Sequence, residues 1–286
     1  MSGSDTDTEP CWSCGAATEE AAELRPASYR RCLACGLLFQ PRRDSADLHA
    51  LYDGEYFQCY PCGGDYSAGT LQREHEARVR VRLLCRFVET PGCLLEVGAA
   101  GGHFLAAAGQ AGFHAFGIEP VAELAERGRS ELGVEIAAGL LEEVDLDNDT
   151  FEAACAFHVL EHLPSPGEAL GLLREALVPR GILLVEVPNI ESFAAQRASG
   201  EWPPLDPLHH VTHYGPAALR GMLERAGFDV IRIETVPFFT YLRPREAVRP
   251  HHLAHRVALS ARARVPLLGP HPHRHELLRA AARPAR

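Results

Sequence analysis

The sequence predicts an α/β protein whose main domain is a doubly wound, largely parallel β-sheet, preceded by a small cysteine-rich module. Short apolar runs alternate with helical patterns from residue 91 onward, as in successive βαβ units. The first apolar run ends in an acidic residue and a glycine-rich turn, within Glu96–Gly102. Two C-x-x-C-G motifs lie near the start of the chain. A length of 286 residues suits one large domain and one small module.

The cysteine motifs predict a metal-binding ribbon over residues 1–45. Seventeen residues separate the two pairs, a spacing typical of zinc sites. The predicted ligands are Cys11, Cys14, Cys32 and Cys35. Four thiolates leave no open coordination position, so the Zn²⁺ is expected to be structural. Two alternatives stay open: four unlinked reduced thiols, or replacement of one pair by the later pair Cys59 and Cys62.

Residues 46–90 form the next predicted unit, a tyrosine-rich segment that leads into a helix. Apolar residues recur at helical spacing over residues 71–88, with arginines between them. Tyr56 and Tyr66 are the aromatic residues that we expect to contact a ligand, although packing against the ribbon explains them equally well.

The remaining residues, 91–286, are predicted to form the sheet domain. The predicted strands lie near residues 93–97, 113–118, 134–138, 152–157, 181–187, 228–235 and 276–282. Helices lie between them, and the clearest runs from Ala217 to Ala226, before Gly227. Residues 238–274 form an insertion rich in arginine and histidine, with a further helix expected near 252–264.

The glycine-rich turn carries the first functional signal. Glu96 ends one predicted strand, and Glu119 ends the next one along the chain. Open α/β sheets bind ligands outside the carboxyl ends of their strands, and glycines let the backbone approach such ligands closely. Two carboxylates that flank this turn suit a ligand with both a ribose diol and a cation.

These residues resemble the first motif of class I S-adenosylmethionine-dependent methyltransferases, an acidic residue followed by three alternating glycines. Glu96, Gly98 and Gly102 match the motif, whereas Ala100 stands where the middle glycine usually lies. Glu119 resembles the acidic residue that binds the ribose of S-adenosyl-L-methionine. The resemblance therefore assigns all five residues to the cofactor site.

Two further segments match the same family in the expected order. Residues 151–163 resemble the fourth strand and its following turn, which places Phe157 beside the cofactor, and residues 177–189 resemble the fifth strand. The family implies a Rossmann-like seven-stranded sheet with an antiparallel last strand. It also implies that the helical segment before the sheet forms a lid over the cofactor, so that Tyr56 and Tyr66 are expected to contact the cofactor or the substrate.

Acid–base residues follow the predicted fourth strand. His158, Glu161 and His162 lie on the turn that this fold directs toward the transferable methyl group. Imidazole titrates near neutral pH, so His162 is the expected base, with Glu161 as its partner or as a substrate contact and His158 as the alternative base. Because this E-H-L sequence is widespread in the superfamily, a purely structural role for His162 is the competing interpretation.

A second histidine cluster precedes the predicted sixth strand. His209, His210 and His213 resemble a segment that walls the acceptor pocket in bacterial small-molecule methyltransferases. We expect them to bind substrate or supply a second base; packing and metal binding are the alternatives.

The combined features predict a cytoplasmic methyltransferase acting on oxygen or carbon of a small polar metabolite, such as a sugar or natural-product intermediate. The sequence has no run of about 18 apolar residues, so it predicts no membrane-spanning helix. The net charge of −10 argues against a nucleic-acid partner. The alternatives are an RNA methyltransferase that binds through its ribbon and insertion, a nicotinamide-dependent oxidoreductase, and a non-catalytic scaffold. The oligomeric state is open.

Overall fold

The computed structural model describes residues 9–24, 28–41, 70–242 and 275–285. Its strands are β1 (Thr18–Glu20), β2 (Arg30–Cys32), β3 (Leu38–Phe39), β4 (Cys93–Val97), β5 (His114–Glu119), β6 (Glu135–Ala138), β7 (Phe151–Phe157), β8 (Leu177–Pro188), β9 (Thr212–His213), β10 (Phe228–Val236) and β11 (Leu277–Pro284). Its α-helices are α1 (Thr70–Leu84), α2 (His103–Gln110), α3 (Ala122–Arg127), α4 (Pro166–Ala176), α5 (Phe193–Ala198) and α6 (Pro216–Arg225). None of these helices is long and apolar enough to cross a membrane.

The large sheet has seven strands in the order β10-β11-β8-β7-β4-β5-β6. Strands β4 to β8 pair in parallel, and β11 is antiparallel to both of its neighbours, β8 and β10. The predicted doubly wound sheet with an antiparallel last strand is therefore confirmed. Because the parallel strands share one direction, the residues that follow β4, β5, β7 and β8 meet along one edge of the sheet.

The core lies on both faces of the central strands. Alternate residues of a strand point to opposite faces; thus Leu95 packs in the cluster that contains Leu173 of α4. Its neighbour Leu94 packs in the other cluster, with Leu84 of α1 and Phe104 of α2. Strands covered on both faces read as continuous apolar runs, which explains why the sequence predicted them well.

The N-terminal ribbon is joined to the main domain by a strand that the sequence analysis missed. Strands β1, β2 and β3 form an antiparallel sheet, and β9 adds a fourth strand by pairing with β3. A two-residue strand has too few positions to show periodicity. The predicted ribbon over residues 1–45 thus shares its sheet with residues from the larger domain.

Most predicted elements agree with the structure within a few residues. Helix α1 ends at Leu84, whereas the prediction continued to residue 88, and β8 begins at Leu177 instead of residue 181. The helix expected near 252–264 lies outside the described residues, as does most of the 238–274 insertion.

Truncation of Leu173 should destabilise the fold much more than truncation of its neighbour Leu172. Leu173 is 1% exposed and Leu172 is 36% exposed, on the same helix. Leu173→Ala should lower the free energy of unfolding by about 2–5 kcal/mol because it leaves a cavity. Leu172→Ala should change it by less than about 0.5 kcal/mol. Urea unfolding of both variants checks this, and equal losses would contradict the assigned core.

Candidate functional site

A large cavity of about 970 Å³ opens at the edge where the parallel strands end. This volume is at the upper end of the range for small-molecule sites, about 300–1,000 Å³. Five predicted cofactor residues line it: Glu96, Gly98, Ala100, Glu119 and Phe157. Five predicted acid–base or substrate residues also line it: His158, Glu161, His162, His209 and His210. The structure therefore brings the two predicted halves of the site together.

The turn after β4 has left-handed backbone angles at two of its glycines. Gly98 and Gly102 have φ angles of 71° and 76°, in the left-handed region that glycine adopts without strain. A Cβ on Gly98 would lie 2.6 Å from Val159 Cγ2. Ala100 also has a positive φ, 47°, so the alanine occupies a conformation better suited to the glycine of the family motif. Gly102 precedes α2 and does not line the cavity.

Glu119 is fixed by this turn. Its Oε2 accepts a hydrogen bond from the Ala100 N–H at 2.7 Å, and its Oε1 accepts one from the Val121 N–H at 3.0 Å. The side chain is only 3% exposed, and burial raises its pKa above the ordinary value. A carboxylate has about four acceptor positions. Glu119 therefore retains capacity to accept hydrogen bonds from a ligand hydroxyl.

Glu96 is a buried carboxyl group with incomplete hydrogen bonding. It is 5% exposed, and its Oε2 has no hydrogen-bond partner among the described residues. Burial raises its pKa well above the ordinary value, because nearby charge does not compensate for the lost water. A ligand that brings a cationic donor to this position would satisfy the orphaned oxygen.

His158 lies between two carboxylates. Its Nδ1 is 3.3 Å from Glu161 Oε1, and its Nε2 is 3.5 Å from Glu186 Oε1. Burial lowers the pKa of His158, but the two carboxylates outweigh burial and raise it to about 9. The ring is therefore an imidazolium at neutral pH. This differs from its expected role as an alternative base, because a protonated ring has no lone pair to accept a proton.

Glu186 was missed by the sequence analysis. It is fully buried and accepts hydrogen bonds from Tyr241 Oη, Arg80 Nη2 at 3.2 Å and Arg279 Nη2 at 3.2 Å. Burial opposes ionisation, but His158 and the two arginines hold the pKa of Glu186 well below its ordinary value. The sequence feature that could have identified Glu186 is its position as a single acidic residue inside the apolar run of β8.

His162 is in a different electrostatic state from His158. It is 7% exposed, and its Nδ1 lies 3.1 Å from the carbonyl oxygen of His209. Because a carbonyl only accepts, Nδ1 carries the proton and Nε2 carries the lone pair. Burial lowers the pKa of His162 to about 4, so the ring is neutral at physiological pH.

The three histidines of the second cluster separate into two groups. His209 Nδ1 contacts Asp206 Oδ2 at 2.8 Å, and His210 Nδ1 contacts the Pro204 carbonyl oxygen at 2.7 Å; both residues line the cavity. His213 instead is 1% exposed, lies 3.2 Å from the Tyr29 hydroxyl through Nε2 and does not line the cavity. The structure therefore places His213 with the packing residues.

The four ribbon cysteines form a compact cluster. Their Sγ atoms lie within 4.8 Å of one another, with Cys11–Cys35 at 3.9 Å and Cys14–Cys32 at 3.5 Å. A tetrahedral Zn²⁺ with Zn–S bonds of about 2.3 Å places its sulfurs about 3.8 Å apart. These distances exclude disulfide bonds, which hold sulfurs about 2.05 Å apart. The donor set and its spacing fit zinc.

Each cysteine pair is shaped by a following glycine. Gly15 and Gly36 both have a φ of 74°, and each N–H bonds back to the carbonyl of the first cysteine in its pair. The two turns are therefore built alike. The expected contacts of Tyr56 and Tyr66, and the alternative ligands Cys59 and Cys62, lie outside the described residues.

Comparisons with known proteins agree with this architecture. The model of a methyltransferase domain family matches residues 71–233, more than half of the chain. A protein of Mycolicibacterium smegmatis described as a probable S-adenosylmethionine-dependent methyltransferase is 33% identical over 97 residues. That match spans 34% of this chain and 36% of the relative, so the chain covers about a third of the relative's length.

Solved structures show the same fold at low identity. A SAM-dependent methyltransferase of Thermotoga maritima, described as a possible histamine N-methyltransferase, has a TM-score of 0.56 and 18% identity, covering 80% of this chain and 98% of that one. Phosphoethanolamine N-methyltransferase 2 of Haemonchus contortus, in complex with S-adenosyl-L-methionine, has a TM-score of 0.54 and 12% identity. The match covers 82% of this chain and 60% of that one. The family match and the shared sheet lead to one conclusion: the chain belongs to the methyltransferase domain family.

Proposed function

We propose that the protein is an S-adenosylmethionine-dependent methyltransferase that acts on an oxygen or carbon atom of a small polar metabolite, such as a sugar or natural-product intermediate. One observation carries this proposal. The buried carboxyl groups of Glu96 and Glu119 flank the left-handed glycine turn at one end of the cavity, and a neutral histidine, His162, lies in the wall of the same cavity.

The residues of the glycine turn fit the cofactor. Glu119 has acceptor capacity for the ribose hydroxyls, and the orphaned oxygen of Glu96 suits the cofactor's ammonium group. Phe157 contributes an apolar surface, packed edge-on against Phe104 with ring centroids 5.1 Å apart. When bound there, S-adenosylmethionine supplies an electrophilic methyl group on a positively charged sulfur.

The histidines that line the cavity fit a hydroxyl or carbon acid as acceptor. Such an acceptor must lose a proton, and His162 Nε2 carries a lone pair on a side chain that is only 7% exposed. We propose that it takes this proton, with Glu161 beside it as the compensating charge. His209 and His210 are proposed to orient the acceptor, because both line the cavity on bonds that fix their rings. Alignment of acceptor and methyl group then supplies most of the remaining rate enhancement.

Loss of Glu119 should weaken cofactor binding. Glu119→Ala removes the acceptor for the ribose hydroxyls and should cost about 1–3 kcal/mol, roughly a fivefold to 150-fold increase in Kd. Isothermal titration with S-adenosylmethionine and with its demethylated product measures this. Glu123→Ala, at an exposed position of α3, is the matched control and should bind like the unmodified protein. Binding of NAD in place of either ligand would contradict the assignment.

His162→Ala should lower turnover by about a hundredfold or more with cofactor affinity unchanged, because it removes the proton acceptor. The acceptor is first identified by transfer of a labelled methyl group to small molecules in an extract of the source cells. His114→Ala, at an exposed position of β5, is the control and should retain full turnover. Near-normal turnover of His162→Ala would indicate an acceptor that needs no base, such as an amine.

The cysteine cluster is proposed to bind one structural Zn²⁺. Cys32→Ser should lose this zinc and disorder the ribbon, because metal binding supplies the folding energy of small metal modules. Cys85→Ser changes an exposed thiol outside the cluster and should retain the metal. Elemental analysis of both variants gives the stoichiometry. Full zinc retention in Cys32→Ser would shift the site to Cys59 and Cys62.

A further inference from the structure

Three side chains of the cavity wall converge beyond the cofactor residues. Glu161, His162 and His210 each present one potential metal-ligating atom, and these atoms lie within 4.8 Å of one another. All three side chains line the large cavity. Glu161 and His162 are buried, and His210 is partly buried. This set differs from the three histidines that the sequence suggested, because His213 lies elsewhere and His209 contacts Asp206.

Both histidines are held in the tautomer of a metal ligand. His162 Nδ1 is 3.1 Å from the His209 carbonyl oxygen, and His210 Nδ1 is 2.7 Å from the Pro204 carbonyl oxygen. Each Nδ1 must therefore carry its proton, which leaves the lone pair on Nε2. Metal-binding histidines are typically oriented by such a bond from the other ring nitrogen to a backbone carbonyl or carboxylate.

Glu161 supplies a carboxylate whose two oxygens both lack a hydrogen bond. The residue is fully buried, and neither of its carboxylate oxygens has a hydrogen-bond partner among the described residues. Its Oε1 lies 3.3 Å from His158 Nδ1, and His158 is held in turn by Glu186. The ion pair with His158 orients the carboxylate, and both of its oxygens keep lone pairs for a metal ion.

The backbone around the three residues is tied down before any ligand binds. The carbonyl oxygen of Glu161 accepts bonds from the Val211 N–H at 2.9 Å and from the Thr212 N–H at 3.1 Å. The Tyr29 hydroxyl lies 2.9 Å from the His210 carbonyl oxygen. These bonds join the turn after β7 to the segment before β9, the two segments that carry the ligand atoms.

We propose that Glu161, His162 and His210 bind a divalent transition-metal ion, with the cavity side open to an oxygen of the methyl acceptor. Two imidazole nitrogens and one carboxylate oxygen suit ions such as Zn²⁺, Co²⁺ or Fe²⁺, and three protein ligands leave at least one position for an exogenous ligand. A metal-bound hydroxyl is more acidic than a free one. The lone pair of His162 can therefore either bind the metal ion or accept a proton, but not both at once. A metal-loaded enzyme would not need His162 as proton acceptor.

The role at the acceptor rests on the proposed function, but the binding site is testable without it. Cobalt(II) is added to the full-length zinc-loaded protein and followed by visible absorption, with and without S-adenosylmethionine. We expect about one equivalent of Co²⁺ to bind with ligand-field bands and no thiolate-to-cobalt charge-transfer band, since the ligands are nitrogen and oxygen. No binding, or binding that shows only the thiolate band and disappears in Cys32→Ser, would overturn the proposal.

Variants locate the ion. His210→Ala and Glu161→Gln should each raise the Kd for Co²⁺ by at least about tenfold, since even supporting residues of metal sites have effects of this size. His114→Ala, at an exposed position of β5 outside the cavity, is the control and should leave the Kd for Co²⁺ unchanged. Equal affinity in His210→Ala and the unmodified protein would overturn the site. His210 is the less buried ligand, so His210→Ala decides the result if Glu161→Gln does not fold.

Calorimetry with S-adenosylmethionine on the same samples separates the two proposals. Cobalt binding without cofactor binding would support the metal site and reject the methyltransferase function. Cofactor binding without cobalt binding would reject the metal site and leave the proposed function standing.

Discussion

The buried carboxylate of Glu186 holds four separate parts of the chain against one point at the sheet edge. It bonds to Arg80 of α1, Arg279 of β11 and the Tyr241 hydroxyl, and it lies beside His158 on the turn after β7. A buried charge is tolerated only when it is paired, and removal of one partner of such a pair typically costs about 3–5 kcal/mol. The position of the helix before the sheet therefore depends on the ion pair between Arg80 of the helix and Glu186 of the sheet.

Burial raises the pKa of each of four carboxyl groups at this cavity, but the net pKa shifts have opposite directions. Glu96 and Glu119 have raised pKa values because burial dominates, whereas Glu161 and Glu186 have lowered pKa values because cations compensate for burial. His158 is the shared cation that stabilises the second pair. Cations of the protein do not offset the burial of Glu96 and Glu119, which suits a cationic ligand there, whereas Glu161 and Glu186 are already paired with cations of the protein.

Local sequence was sufficient for the features that depend on local geometry. The central parallel strands could be predicted because they are short apolar runs, and the glycine turn over Glu96–Gly102 could be predicted because glycines cluster directly after such a run. Glu119 could be placed because a strand end fixes its position at the sheet edge. The role of Glu186 could not be predicted from the sequence, because its partners Arg80 and Arg279 are distant in sequence. Neither a residue pattern nor a spacing links the three residues. Strand β9 was missed because its two residues are too few to show a periodicity.

The cysteine module also bears on the cavity, although it is remote from the glycine turn. The Tyr29 hydroxyl bonds to the carbonyl oxygens of Leu205 and His210, and the Gln40 side chain donates to the Pro207 carbonyl oxygen at 2.7 Å. Strand β3 of the module pairs with β9, which directly follows the cavity histidines. These bonds satisfy backbone acceptors of a segment that has little regular structure of its own. The ribbon thus holds the backbone of the segment that carries His209 and His210. The hydrogen bonds that set the ring orientation of His162 and His210 depend on the position of this segment.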